Sequence, residues 1–199
     1  MSTLTLDRRE VLKQLITVRN GALVVTGLGS PVWDLSSIDE RDENFHLWAG
    51  MGLASVTGLG LAMAQPDKSV WVVTGDGEML MGVGSFATIA AKAPRNLTVI
   101  VLDNEHYGET GMQATHTGLG VDLAGMAAAA GFAKTLTVRT ENDVSELMAA
   151  VQNGPFPLFA ALKVKADNLP KKLSPRDGVH IKNRFRIALL GEQEAMNTG

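Results

Sequence analysis

A Gly75-Asp76-Gly77 triplet closes one run of strand-forming residues, and Asn104 closes the next. Residues 78 to 103 leave room for one helix and one strand, so a βαβ crossover returns Asn104 to the sheet edge that carries Asp76. Two oxygen-bearing side chains can then face one ion. Magnesium takes hard oxygen ligands in octahedral geometry, few of them from protein, with phosphate oxygens and water completing the shell. Asp76, Asn104 and one backbone carbonyl suit that demand. The glycines beside Asp76 allow the backbone to approach a diphosphate, and a helix starting just afterwards would aim amide hydrogens at it. Gly-Asp-Gly alone is a common turn. The preceding Trp71-Val72-Val73-Thr74 strand, the helix that follows and the structural return of Asn104 favour a cofactor site.

These residues need a scaffold, and the hydrophobic pattern supplies one. Val11, Leu12, Leu15 and Ile16 fall at helical spacing within residues 8–17, with Asp7 placed to cap the start. Residues 22–26 form an apolar strand closed by Gly27 and Gly29. A polar loop is expected next, then a helix over 50–64 rich in small and apolar residues. Residues 70–74 and 97–102 read as buried strands, with a helix over 82–91 between them. Helices over 122–130 and 141–152 alternate with strands over 133–138 and 158–164. The alternation predicts an α/β fold, a doubly wound, mostly parallel sheet with helices on both faces. Its ligand should lie beyond the carboxyl ends of the strands.

The chain of 199 residues is 45% hydrophobic and 20% charged, which suits one domain over 1–199 and leaves too little for two. From 168 to 199 the composition turns basic, ending in a helix near 181–190 expected to pack on the domain or on a partner. A net charge of −3 gives no case for nucleic acid or an anionic membrane. Cysteine is absent, which excludes disulfides, thiolate metal sites and a cysteine nucleophile from this chain. Residues 1–10 show no signal-peptide core, and no apolar run reaches the length of a membrane span; a cytoplasmic location is expected. His46, between Phe45 and Trp48, is a candidate proton-transfer group on the substrate side, although a histidine beside aromatics also suits a structural post.

Three segments carry a family resemblance: Gly50-Met51-Gly52-Leu53-Ala54-Ser55, residues 80–89 from Leu80 to Ile89, and Leu102-Asp103-Asn104-Glu105-His106-Tyr107-Gly108-Glu109-Thr110-Gly111-Met112-Gln113. With the Gly-Asp-Gly and Asn pattern they resemble the thiamine-diphosphate enzymes, within them the sulfopyruvate and phosphonopyruvate decarboxylase group. The similarity covers most of the chain, including residues 181–185. It implies the diphosphate-binding domain of an enzyme whose other α/β domain binds the aminopyrimidine.

On that resemblance, Asp76 and Asn104 would ligate Mg2+ by side chain and His106 by its carbonyl. Gly75, Gly77, Glu78, Tyr107 and Gly108 would line the diphosphate, and Thr26, Gly27 and Gly50 would approach the cofactor from other sides. Met51 would be the apolar wedge beneath the thiazolium, where composition alone reads a core methionine. A carboxylate beside a diphosphate is repulsive, so Glu78 should turn towards water, the metal or a supporting partner. The family's catalytic glutamate sits on the pyrimidine-binding domain. It would come from a separate α subunit, making a hetero-oligomer.

The leading expectation is therefore the β subunit of a decarboxylase acting on an anionic 3-substituted pyruvate to give an aldehyde and CO2. The alternatives are an acetolactate-synthase-like carboligase subunit, a non-catalytic cofactor-binding partner, and a 2-oxoacid:ferredoxin oxidoreductase β subunit. The missing cluster cysteines weigh against the last.

Overall fold

Uniformly apolar strands can be stable only when both faces of a sheet are covered, and this governs the architecture. The computed structural model describes residues 4–197. In chain order the elements are α1 (Arg8–Thr17), β1 (Leu23–Thr26), α2 (Ser30–Ile38), β2 (Asn44–His46), α3 (Ala54–Ala64), β3 (Val70–Gly75), α4 (Asp76–Met81), α5 (Ser85–Lys92), β4 (Leu97–Asp103), β5 (His106–Tyr107) and β6 (Gln113–Ala114). A 3-10 turn (Thr117–Leu119) leads into α6 (Leu123–Ala130), β7 (Lys134–Val138), α7 (Glu141–Asn153), β8 (Leu158–Lys163), α8 (Gly178–Leu190) and α9 (Glu192–Met196).

Six strands form one sheet in the order β2-β1-β3-β4-β8-β7, and every pairing in it is parallel. Side-chain alternation divides the core in two. Trp71, Val73, Ile100 and Leu162 join Leu12 and Leu15 of α1 and Leu147 of α7 on one face. Val70, Val72, Val99 and Phe159 join Leu59 of α3, Phe86 of α5 and Leu123 of α6 on the other. A doubly wound sheet with helices on both faces is thus what the chain forms. Asp7 caps α1 as expected, its side chain accepting from the amides of Arg9 and Glu10 at 2.9 and 3.1 Å.

Three expectations change. The polar loop after β1 is in fact α2 and the edge strand β2. The helix expected from residue 50 starts at Ala54, because Gly50 and Gly52 take φ values of 77° and 85° in a turn that no helix continues. The helix expected over 82–91 is α5 from Ser85, and a separate short helix, α4, starts directly at Asp76.

The basic C-terminal segment returns across the sheet edge. Phe185 of α8 meets Phe45 edge-on at 5.4 Å between ring centroids, and Arg184 reaches Glu40 at 2.7 Å. His46 Nε2 stands 2.9 Å from the other oxygen of Glu40. Burial alone would raise the Glu40 carboxyl, but the hydrogen bonds from His46 and Arg184 outweigh it and hold it at about 2, below its ordinary 4.5. A depressed carboxyl stabilises the fold above the unfolded value and loses that contribution as pH falls through the folded one. The expected result is a drop in the urea midpoint between pH 4.5 and 2 that Glu40→Gln flattens. Identical acid limbs in the two proteins would show that this cluster contributes nothing.

Candidate functional site

The chain leaves the sheet centre in two directions: from β1 outward to β2, and from β3 outward through β4. Such a reversal opens a crevice at the carboxyl ends of the two central strands. A cavity of about 240 Å³ lies there. Its walls are the loop after β1 (Leu28 to Pro31), the β3–α4 junction (Gly75 to Glu78), the segment after β4 (Asn104 and His106 to Thr110), and Met51, Arg8, Leu102 and Val164.

Nine of the residues singled out in the sequence therefore share one wall system: Met51, Gly75, Asp76, Gly77, Glu78, Asn104, His106, Tyr107 and Gly108. Parallel pairing of β3 with β4, in the register Gly75 opposite Leu102, places Asp76 and Asn104 at neighbouring strand ends. The close approach at Gly77 is real, since a Cβ there would lie 2.4 Å from the Tyr107 ring.

Thr26, Gly27, Gly50 and His46 do not line the cavity. Thr26 and His46 are cross-strand neighbours, and Thr26 Oγ1 lies 2.8 Å from His46 Nδ1. With Nε2 facing Glu40, both ring nitrogens of His46 are engaged, and its side chain is fully buried. The structural post is the one it occupies. A general acid or base must reach the group it serves, and in this structure His46 is not among the residues that line the cavity. Gly27 backs the site from beneath: the Glu78 carboxylate packs so closely on it that a Cβ would lie 1.8 Å from Oε2.

Glu78 has turned away from water and into the strand ends. Its Oε2 accepts from Thr74 Oγ1 at 2.9 Å, while Oε1 is buried without a hydrogen-bond partner. Burial pushes this carboxyl up, against the lowering by the Thr74 hydroxyl and the nearby backbone of Gly52 and Leu28. Asp76 is also pushed up, to about 6. Its burial is the main cause and the neighbouring Asp103 charge adds to it, while hydrogen bonds from Thr115 and Thr117 act the other way.

The donor chemistry can be tested against a magnesium diphosphate. Asp76 brings a carboxylate. Asn104 Oδ1 accepts from the His106 amide at 3.1 Å and retains a second lone pair. In the β5–β6 hairpin, Thr115 N–H donates to Glu105 O and Met112 N–H to Tyr107 O. This alternation turns the intervening His106 carbonyl away from the ladder and leaves it available. His106 Nδ1 lies 2.9 Å from the Asn104 carbonyl, an acceptor, so Nδ1 carries the proton. Among the described residues no three of His, Asp and Glu gather as a metal cluster, which fits an ion held largely by phosphate.

The charge balance points the same way. Asp76, Glu78 and Glu109 line the cavity with Arg8; Arg8 is already paired with the buried Asp34, and Glu109 with Lys171 outside the cavity. An anionic ligand would be repelled there without a cation to bridge it. The residues present fit the group.

Met51 is not a core methionine. It is 43% exposed at the cavity edge, on a turn locked against the end of α4. The backbones of Gly52 and Gly82 touch: a Cβ on Gly82 would lie 2.0 Å from the Gly52 carbonyl oxygen.

Gly29 was expected only as the turn that closes the first strand, and Ser30 and Pro31 beside it were not foreseen as part of the cavity wall. Their signal was present, since proline in the first turn after glycine marks a helix start, and α2 points its N-terminus at the cavity. Thr115, Thr117, Asp103 and Arg8 carried no recognisable pattern and emerge only from the three-dimensional arrangement.

Comparison with known proteins bears on the family. Positions 35–160 match the family described as thiamine pyrophosphate enzyme, C-terminal TPP binding domain. The chain belongs to the thiamine pyrophosphate enzymes. It is 35% identical to sulfopyruvate decarboxylase subunit beta of Methanothermobacter thermautotrophicus, over 95% of this chain and 98% of that one. It is 36% identical to phosphonopyruvate decarboxylase of Streptomyces viridochromogenes, over 83% of this chain but only 41% of that longer one. The fold is shared with benzoylformate decarboxylase from Polynucleobacter necessarius, with a TM-score of 0.68 at 19% identity, covering 84% of this chain and 35% of that structure. This thiamine pyrophosphate enzyme chain thus spans about a third of that solved relative. No described helix is long and apolar enough to cross a membrane.

Proposed function

We propose that the chain is the diphosphate-binding β subunit of a magnesium-dependent 2-oxoacid decarboxylase that acts on an anionic 3-substituted pyruvate, of sulfopyruvate or phosphonopyruvate type. One observation carries the reading. The match takes in 98% of a chain named as a β subunit and 41% of a longer chain named as a decarboxylase. The same domain thus occurs alone in one relative and joined to further chain in the other. Domain organisation supports a single cofactor-binding unit here, with the basic segment after 168 folded back on it.

Thiamine diphosphate, when bound, supplies the electron sink for the charge left when CO2 departs. The chain's own residues anchor and shape. Asp76, Asn104 and the His106 carbonyl would hold the cation. Gly77 and Gly108 would let the backbone approach the phosphates, and Tyr107 packs against Gly77. Glu78 braces the β1 loop from below, and Met51 sets the apolar edge of the cavity. The catalytic glutamate comes from an α subunit in a cytoplasmic hetero-oligomer.

Product analysis tests the reaction class. With the partner present, sulfopyruvate or phosphonopyruvate should give one equivalent of CO2 and the matching aldehyde. Accumulation of a branched hydroxy acid from two pyruvates would replace this reading with carboligation.

Met51→Ala should separate binding from rate. The substitution leaves the anionic end of the site untouched and removes the apolar edge. Affinity for Mg2+ and thiamine diphosphate should stay within a few-fold of wild type, while kcat falls by roughly 10–100-fold through lost preorganisation. Equal losses in affinity, with kcat intact, would make Met51 a packing residue.

A further inference from the structure

Asp76 has two carboxylate oxygens, and protein hydroxyls converge on one of them. Thr115 Oγ1 donates to Asp76 Oδ2 at 2.5 Å. Thr117 Oγ1 stands 2.9 Å from the same oxygen, 2.9 Å from Thr115 Oγ1 and 2.8 Å from Asp103 Oδ1. Asp76, Asp103, Thr115 and Thr117 are all buried, with exposures between 0% and 5%. Lys163 Nζ pairs with the far oxygen of Asp103 at 2.7 Å and with Glu105 at 2.9 Å. Glu105 is fastened in turn by its carbonyl, which accepts from the Thr115 amide at 2.9 Å.

The two threonines lie on the segment returning from β6, so the loop that begins at Asn104 ends by holding Asp76. Hydroxyls are well matched to this post. Each can hold one oxygen of a carboxylate while adding no charge to compete with a cation on the other. Thr117 Oγ1 also sits between the two strand ends, within reach of Asp76 after β3 and Asp103 at the end of β4; its single proton serves one carboxylate at a time, and Lys163 at the end of β8 pairs with Asp103. We propose that Thr115 and Thr117 are positioning residues for the cation of this site: they pin Asp76 Oδ2 so that Oδ1 is presented to the cavity in one fixed orientation. The inference rests on the reading of Asp76 as a magnesium ligand and extends it to residues that touch neither cation nor substrate. Groups that orient a metal ligand commonly set affinity as strongly as some ligands do.

The test is a cation titration of the full-length chain with thiamine diphosphate present. Thr115→Val and Thr117→Val keep the side-chain shape and remove the hydroxyl. Mg2+ affinity, read by calorimetry, should fall by about 10–100-fold in each. Mn2+ bound in place of Mg2+ should show a broadened electron paramagnetic resonance spectrum. The preference for Mg2+ over Ca2+ should also shrink, because a loosened carboxylate no longer enforces octahedral geometry. Thr117→Ser should restore all three readouts. A merely structural hydroxyl would lower the thermal midpoint of the metal-free chain and leave the Mg2+ to Ca2+ ratio unchanged, and that outcome overturns the proposal. So does wild-type cation affinity in both valine variants. If Thr117→Val does not fold, Thr117→Ala replaces it, since the space left can take a water that partners both carboxylates. A smaller loss in the same direction is then expected, and no loss counts against the proposal. A wild-type chain that takes up no thiamine diphosphate with any divalent cation overturns the magnesium reading itself, which separates the two failures.

Discussion

Replacing Asp76 with alanine is expected to abolish magnesium-dependent uptake of thiamine diphosphate. Asp76 and Glu78 line the cavity, and Arg8, the cation among its lining residues, is committed to Asp34, so a bridging metal would relieve the repulsion of a diphosphate there. Removing the carboxylate removes the charge that draws the metal. The loss should exceed the ~10–100-fold typical of a residue that only supports a ligand. Asn104→Ala should weaken binding in the same way and by less, since it withdraws a neutral oxygen. Isothermal titration with and without Mg2+ measures both, and metal-independent binding of wild-type strength in Asp76→Ala would remove the metal from the site.

The same aspartate gives a pH signature. Burial raises Asp76 to about 6, and a metal binds only the ionised form. Cation affinity should therefore be level above pH 6 and fall by about tenfold per unit below it. Stability of the metal-free chain runs the other way. A carboxyl raised by the fold stabilises it below the unfolded value of 3.8, and that contribution is lost as pH rises through 6. Asp76→Asn, fixed in a neutral form, should lack both trends.

Much of this arrangement was legible in the residues themselves. Val70 to Gly75 and Leu97 to Asp103 are buried apart from Gly75, so hydrophobicity alone located the two strands that bear Asp76 and Asn104, and parallel pairing did the rest. The segment between β1 and α3 was opaque for a physical reason. α2 buries Asp34 and Ser36 beside Val32 and Leu35, so its inner face is partly polar and shows no apolar stripe. Three-residue β2 is too short to show a period. His46 misled because aromatic neighbours in sequence said nothing of Glu40 and Thr26, which engage both its nitrogens in space. Thr115 and Thr117 were invisible because threonine serves many posts, and only the return of the β5–β6 hairpin brings them to Asp76.

The purified chain is expected to be catalytically silent by itself. Anchoring a diphosphate is one task, and activating the cofactor's reactive carbon is another, which in this family falls to a glutamate on the pyrimidine-binding domain. The elements of the described residues form one sheet with its covering helices, and none of them belongs to a second sheet of that kind. An apolar surface lies beside the cavity. Met51, Leu53 and Met81 are 43%, 51% and 65% exposed, and the touching backbones of Gly52 and Gly82 bring them together beside the cavity. Apolar side chains grouped around an active-site mouth mark a docking face. Adding the correct α subunit should restore decarboxylation of an anionic 2-oxoacid, with activity saturating at a fixed subunit ratio. Met81→Asp places a charge on that face, at the opposite end of α4 from Asp76. It should shift the saturation point to higher partner concentration and leave Mg2+ and thiamine diphosphate binding unchanged. Sedimentation of the mixed subunits and a steady-state titration report the two effects separately. Robust turnover by the chain alone, with contaminating subunits excluded by mass spectrometry, would overturn the split-subunit assignment, because every group needed to activate the cofactor would then have to lie within these 199 residues.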